Sequence, residues 1–142
     1  MNLNEIEAMW DEDSKIDPDN LHLESIKIPN LHSKYFNIYN NLALLKKKEE
    51  NNFLELQKEK WLYYSGKADP EIYKQKPFDH RVLKSDLDKY LDSDEELIKS
   101  NTKIEYYNIM LRFLESIIKN IENRSFQIKN SIDFSKFIGG YS

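Results

Sequence analysis

The stretch from Leu97 to Ile121, LIKSNTKIEYYNIMLRFLESIIKNI, decides the fold. Apolar side chains stand at Leu97, Ile104, Tyr107, Leu111, Leu114, Ile118 and Ile121, and with Ser100 included the spacings run 3-4-3-4-3-4-3. An α-helix repeats every ~3.6 residues, so this spacing draws one seam along one face, as in a coiled coil. Ser100 alone breaks it. Met110, Phe113 and Ile117 widen the apolar face, which predicts packing against more than one helix. Asp92-Ser93-Asp94 offers the N-terminal cap, and Glu95 and Glu96 suit the positive end of the helix dipole. Asn123-Arg124-Ser125 reads as an interruption before a last helix from Phe126 to Ile138, which Gly139-Gly140 ends.

Working outward, residues 30–65 and 78–138 contain neither Pro nor Gly and are rich in Leu, Lys, Glu and Ile. Both read as long helices. Pro29 suits the first turn of the earlier one, predicting a helix over 29–65. Its seam runs Leu31, Tyr35, Ile38, Leu42 and Leu45, then meets Glu49 and Asn52 before Leu56, Glu59 and Tyr63. Ser65-Gly66 should stop it. Residues 66–84, with Pro70 and Pro77, read as a loop with at most a helical turn. Residues 85–138 hold a short helix, DLDKYL, capped by Ser85 or Asp86, and then the helices of the seam. Residues 1–28 form an acidic segment with a short amphipathic piece (Leu3, Ile6, Met9, Trp10) and a turn around Ile16-Asp17-Pro18. The expectation is one all-α domain over 1–142: a long helical hairpin with short helices at either end. Two long helices would leave Phe36, Phe53, Trp61, Phe113 and Phe137 partly in water, and surplus apolar surface signals association. The seam residues Leu97, Ile104, Tyr107, Leu111, Leu114, Ile118 and Ile121 are the first choice for subunit contacts. A bundle within one chain would use the same residues.

Composition excludes several classes of function. Of 142 residues, 39% are apolar and 32% charged. No run of 18 apolar residues occurs, and the first residues lack a basic region followed by an apolar stretch. Membrane insertion and secretion are therefore not expected. The absence of Cys excludes disulfides and thiolate metal sites. With Gly only at 66, 139 and 140, neither a P-loop nor a dinucleotide fingerprint can be written. His22, His32 and His80 have no evident catalytic partners. The acids from Asp86 to Glu96 do not form a calcium loop, because the turn Gly and the closing Glu are missing. Helix caps explain them better. No catalytic constellation, cofactor or metal is expected.

Net charge is −4, but it is unevenly placed. Residues 1–24 carry −7, residues 25–85 carry +5, residues 86–96 carry −5 and residues 97–142 carry +3. A solvated helical surface accounts for this; so does a basic middle that meets a polyanion. Much of Lys46-Lys47-Lys48 is neutralised locally by Glu49-Glu50. The run Lys58-Glu-Lys60-Trp-Leu-Tyr63-Tyr64-Ser-Gly-Lys67 is more informative. It interleaves ammonium groups, which contact phosphates, with flat rings, which stack on bases without reading sequence. If the helix persists that far, Lys60, Tyr64 and Lys67 share a face, whereas Lys58 lies about 200° from Lys60. The two lysines therefore cannot grip one strand from one face of one helix. A second basic–aromatic stretch, Arg124 to Phe137, reads mainly as core through Phe126, Ile128 and Ile132. Arg124 and Lys129 are candidates for auxiliary phosphate contacts.

Three stretches together resemble the UvsY-type recombination mediators of tailed phages. The first comprises Asp17, Leu21, Glu24, Ser25 and Ile28-Pro-Asn-Leu-His-Ser-Lys-Tyr35. The second is Lys58-x-Lys60-x-Leu62-Tyr-Tyr-Ser-Gly-Lys67. The third comprises Leu83-Lys-Ser-Asp86, Asp92-Ser-Asp94, Leu114-Glu-Ser-Ile-Ile118 and Arg124-Ser-Phe-Gln-Ile-Lys-Asn130. The resemblance implies a non-enzymatic factor without cofactor that binds single-stranded DNA, including strands coated by the phage single-strand-binding protein. It implies loading and stabilising of a RecA-like recombinase, a ring-like homo-oligomer of six or seven subunits, and a place in the cytoplasm of the infected bacterial host. It also implies that Lys58 and Lys60 contribute to DNA binding. Some members carry Arg where this chain has Lys60; the Lys keeps the charge but cannot grip a phosphate bidentately. Some carry Gly where this chain has Ser125. The competing reading is a coiled-coil assembly protein without a DNA role.

Overall fold

The computed structural model describes residues 1–140. They form helices α1 (Leu3–Asp13), α2 (Leu21–Tyr64), α3 (Pro70–Gln75), α4 (Leu87–Asp92) and α5 (Glu95–Ile138), with no strand among them. The chain divides into two compact units. One is Met1–Ala43 with the chain from Ile109 onward; the other is Leu44–Asn108.

In the first unit, α1 and the early turns of α2 pack with the later part of α5. The core is Ile6, Tyr35, Leu42, Met110, Leu111, Leu114, Ile117, Ile118, Ile121 and Ile128. The antiparallel pairing of α2 with α5 is visible in Tyr39 donating to Glu115 at 3.0 Å, and in His32 lying 3.5 Å from Glu122. A capping box fixes the start of α1: Asn2 Oδ1 accepts from the Glu5 N–H at 2.9 Å and Glu5 accepts back from the Asn2 N–H. The other end of α1 is held by Arg124, which is 1% exposed. Its Nη2 donates to the Asp13 and Ser14 carbonyls, both at 3.1 Å, and its guanidinium lies 5.6 Å from the Trp10 ring.

The second unit pairs the rest of α2 with the start of α5, and adds α3 and α4. Leu97 is buried here, and Ile104 and Tyr107 are half-buried. The two polar breaks in the seams meet: Ser100 Oγ donates to Glu49 at 2.7 Å, and Lys103 Nζ lies 3.5 Å from the same carboxylate. The hydrogen bond from Ser100 holds the Glu49 carboxyl below its ordinary value, against partial burial. A polar pair in an apolar seam fixes register, because a slip would strand it. The buried members of the seam, Leu97, Leu111, Leu114, Ile118 and Ile121, are thus covered within one chain.

Four expectations need correction. Helix α2 starts at Leu21, not Pro29. Its first bond runs from the Glu24 N–H to the Asn20 carbonyl, after a turn in which Asp17 accepts from Asp19 and Asn20. Pro29 sits inside α2; it removes one ladder bond, a defect of ~3 kcal/mol in an isolated helix, which packing along the helix offsets. Second, α5 runs unbroken through Asn123-Arg124-Ser125. Arg124 lies three residues after Ile121 and four before Ile128, on the buried face. Third, Arg124 is buried and bonded, so it is not on the surface as a phosphate contact. Fourth, Ile128 joins the core but Phe126 and Ile132 are exposed.

Arg124→Ala should lower stability by about 2–4 kcal/mol in urea unfolding, because two carbonyls lose their donor and a cavity opens beneath Trp10. A change under ~1 kcal/mol would contradict the role given to this side chain.

Candidate nucleic-acid interface

The basic–aromatic run ends α2 in the second unit. A left-handed Gly66 (φ +75°) stops the helix. The Gly66 N–H donates to Tyr63 and the Lys67 N–H to Leu62, at 3.2 and 2.9 Å, which closes a Schellman motif. The chain then returns through α3. The Tyr73 hydroxyl donates to the Tyr63 carbonyl at 2.8 Å, and the Tyr63 hydroxyl to the Lys76 carbonyl at 3.0 Å. Tyr63, Tyr64, Tyr73, Phe78 and Tyr90 form one aromatic cluster, with Tyr63 stacked on Tyr73 at 5.5 Å.

Asp94 ties this helix end to the start of α5. Its Oδ1 accepts from the Glu96 and Leu97 N–H groups at 3.0 and 3.1 Å, so it caps α5. Its Oδ2 accepts from the Tyr64 hydroxyl at 2.5 Å and lies 3.4 Å from Lys60 Nζ. Burial pushes the Asp94 carboxyl up, but these hydrogen bonds and the Lys60 charge outweigh it and hold the group below its ordinary value. Burial, followed by the bond to Asp94, raises the Tyr64 phenol.

The expected site residues therefore part company. Lys60 is 16% exposed, pinned by Asp94 and by Glu96 at 3.3 Å. Tyr63 and Tyr64 are half-buried with both hydroxyls engaged. Lys67 lies 4.8 Å over the Trp61 ring. Lys58 is exposed, with no acidic partner among the described residues. On the helix surface it neighbours Trp61, three residues on. Lys129 is exposed and Arg124 is not. The predicted divergence of Lys58 and Lys60 holds: one faces solvent, the other a carboxylate pair.

Trp61, 39% exposed, is the exposed ring of this run, beside the half-buried Tyr63 and Tyr64. The sequence marks it both as part of the run and among the aromatics left partly in water. Lys76 was missed altogether, since it follows a proline-containing turn and no local spacing links it to Lys60. Together Lys60, Tyr63, Lys67, Ile72, Lys76 and Glu96 line a cleft of about 450 Å³. No group of acids and histidines suited to a metal occurs among the described residues.

Exposed cations beside an accessible indole and an aromatic-walled cleft suit the gripping of unpaired polynucleotide. Comparison with known proteins points the same way. The family model described as the recombination, repair and single-stranded-DNA-binding protein UvsY matches residues 9–141. The chain belongs to the UvsY family. It is 28% identical over 145 residues to the recombination protein uvsY of Enterobacteria phage T4, covering 99% of each chain. It also matches crystal structures of the bacteriophage T4 recombination mediator protein UvsY. One has a TM-score of 0.86 at 26% identity over 98% of both chains. Another has a TM-score of 0.83 at 25% identity over 96% of this chain and 98% of that one.

Two variants of the lysine pair should separate. Lys58→Ala should leave stability within ~0.5 kcal/mol, whereas Lys60→Ala should lower it by about 1–3 kcal/mol by leaving Asp94 buried with one partner fewer; chemical unfolding of both variants checks this. The depressed Asp94 and Glu49 carboxyls stabilise the fold above about pH 4, and that contribution is lost as pH falls through their lower folded values. Tyr64→Phe removes a bond that lowers Asp94. Its acid unfolding, followed by circular dichroism, should therefore begin at higher pH than in the parent.

Proposed function

We propose that the protein is a phage recombination mediator that binds single-stranded DNA at the end of α2. On strands coated by the phage single-strand-binding protein, it loads and stabilises a RecA-like recombinase, in the cytoplasm of the infected host. The observation that carries the binding site is the exposed, unpaired Lys58 beside Trp61, with Lys67 over the same ring. Phosphates meet the ammonium groups while a base stacks on the indole, without sequence preference. Lys60, Tyr63 and Tyr64 shape the platform, and Lys129 is an auxiliary phosphate contact. Family membership supports the wider role in recombination and repair.

One protomer offers few free cations, so its own grip on a strand is weak. A ring-like homo-oligomer of six or seven subunits converts such grips into avid binding through effective concentration. Because the buried seam residues are already covered within the chain, we place the subunit contact on the exposed aromatic stripe of α5. There Phe126, Phe134 and Phe137 are 68%, 63% and 78% exposed, on the side of the helix away from Ile121 and Ile128. A strand wrapped over several subunits is bent and held away from its coat, which leaves it open to the recombinase.

Titration of a fluorescent oligonucleotide at two salt concentrations tests the binding site. Lys58→Ala should weaken binding and flatten the log–log salt slope by ~0.7 for each phosphate it no longer neutralises. Unchanged affinity would remove the assignment, and no affinity in the parent would favour the assembly-protein reading. Phe134→Asp with Phe137→Asp should give folded protomers of lower mass that bind single strands far more weakly. Unaltered mass would move the subunit contact elsewhere.

A further inference from the structure

Beyond the platform on Trp61, we propose that the cleft beside it takes one nucleotide of the bound strand, whose phosphodiester displaces the Glu96 carboxylate from Lys60 and Lys76. The inference rests on the single-strand reading above and adds Lys76 as a DNA contact and Glu96 as a built-in competitor.

The geometry has three parts. First, one oxygen, Glu96 Oε1, lies between two ammonium groups, 3.3 Å from Lys60 and 3.5 Å from Lys76. A phosphodiester oxygen suits the same place, as a singly charged acceptor between two cations. Second, the two carboxylates around Lys60 differ in freedom. The Asp94 side chain is 4% exposed and fixed by Tyr64 and two backbone N–H groups, while that of Glu96 is 51% exposed. Asp94 remains as the anchor and Glu96 can swing into water. Third, the cleft behind the cations is apolar where Leu62, Tyr63 and Ile72 line it, and about 450 Å³ admits a base and its sugar. Glu59 and Asp69 also line the cleft. With Glu96 in place three acids face three bases along the cleft, so it has no net charge to draw a phosphate until Glu96 leaves. The cost of that displacement keeps each subunit's hold on DNA weak and reversible, as suits a factor that must hand the strand on.

The test uses the full-length protein, fluorescent oligothymidylate anisotropy at two salt concentrations, and Glu96→Gln and Lys76→Ala singly and together, with helicity and mass as controls. Removing the internal competitor should tighten binding about two- to tenfold, on the scale of exposed ion pairs. Lys76→Ala should weaken binding about two- to fivefold and flatten the salt slope. The gain from Glu96→Gln should shrink when Lys76 is absent. Lys76 is 68% exposed at its side chain, so its removal is read without risk to folding. If the parent binds but folded Glu96→Gln binds no more tightly, or Lys76→Ala binds unchanged, the cleft proposal is overturned while the platform stands. A parent that does not bind at all overturns both.

Discussion

One carboxylate organises the end of this molecule proposed to meet DNA. Asp94 receives two backbone N–H groups of the first turn of α5, the hydroxyl of Tyr64 and the ammonium of Lys60. A carboxylate this deeply buried is unfavourable unless its lone pairs are filled and its charge is met. Here α2 supplies the cation and the phenol, and α5 supplies the amides. The basic–aromatic end of α2 can therefore be held only where the start of α5 is also formed, which gives flexible lysines and tyrosines a fixed frame.

That constraint sorts the cations by task. Lys60 is chiefly a counter-ion, and Lys46 and Lys47 lie 3.6 and 4.0 Å from Glu50. Lys58 is left with its charge facing water. A net charge of −4 is thus compatible with gripping a polyanion, because the acidic excess lies in residues 1–24 and 86–96 while free bases stand beside an accessible ring. In the proposed oligomer, weak grips multiplied across copies would allow a strand to be held and then released, which one strong site would not.

Much of the fold was legible because it follows from short-range chemistry. The 3-4 seam from Leu97 to Ile121, the stop at Gly66 and the cap at Asp94 depend on neighbours within a few residues. What escaped depends on distant partners. Pro29 looks like a boundary until the true entry turn at Asp17 is seen. Arg124 looks like a surface base until the carbonyls at the end of α1, more than a hundred residues earlier in the chain, are found beside it. At the site, the run of residues 58–67 was readable, yet nothing in it shows that Lys60 and Tyr64 are claimed by Asp94. Lys76 is invisible to any spacing rule, because Glu96 brings it to Lys60.

The most direct measurement is photocrosslinking of the intact protein to oligothymidylate carrying 5-bromodeoxyuridine, with the adduct mapped by mass spectrometry. Adducts are expected on Trp61 or Tyr63, between residues 58 and 76. Adducts confined to Trp10 or to the aromatic stripe of Phe126, Phe134 and Phe137 would contradict this expectation.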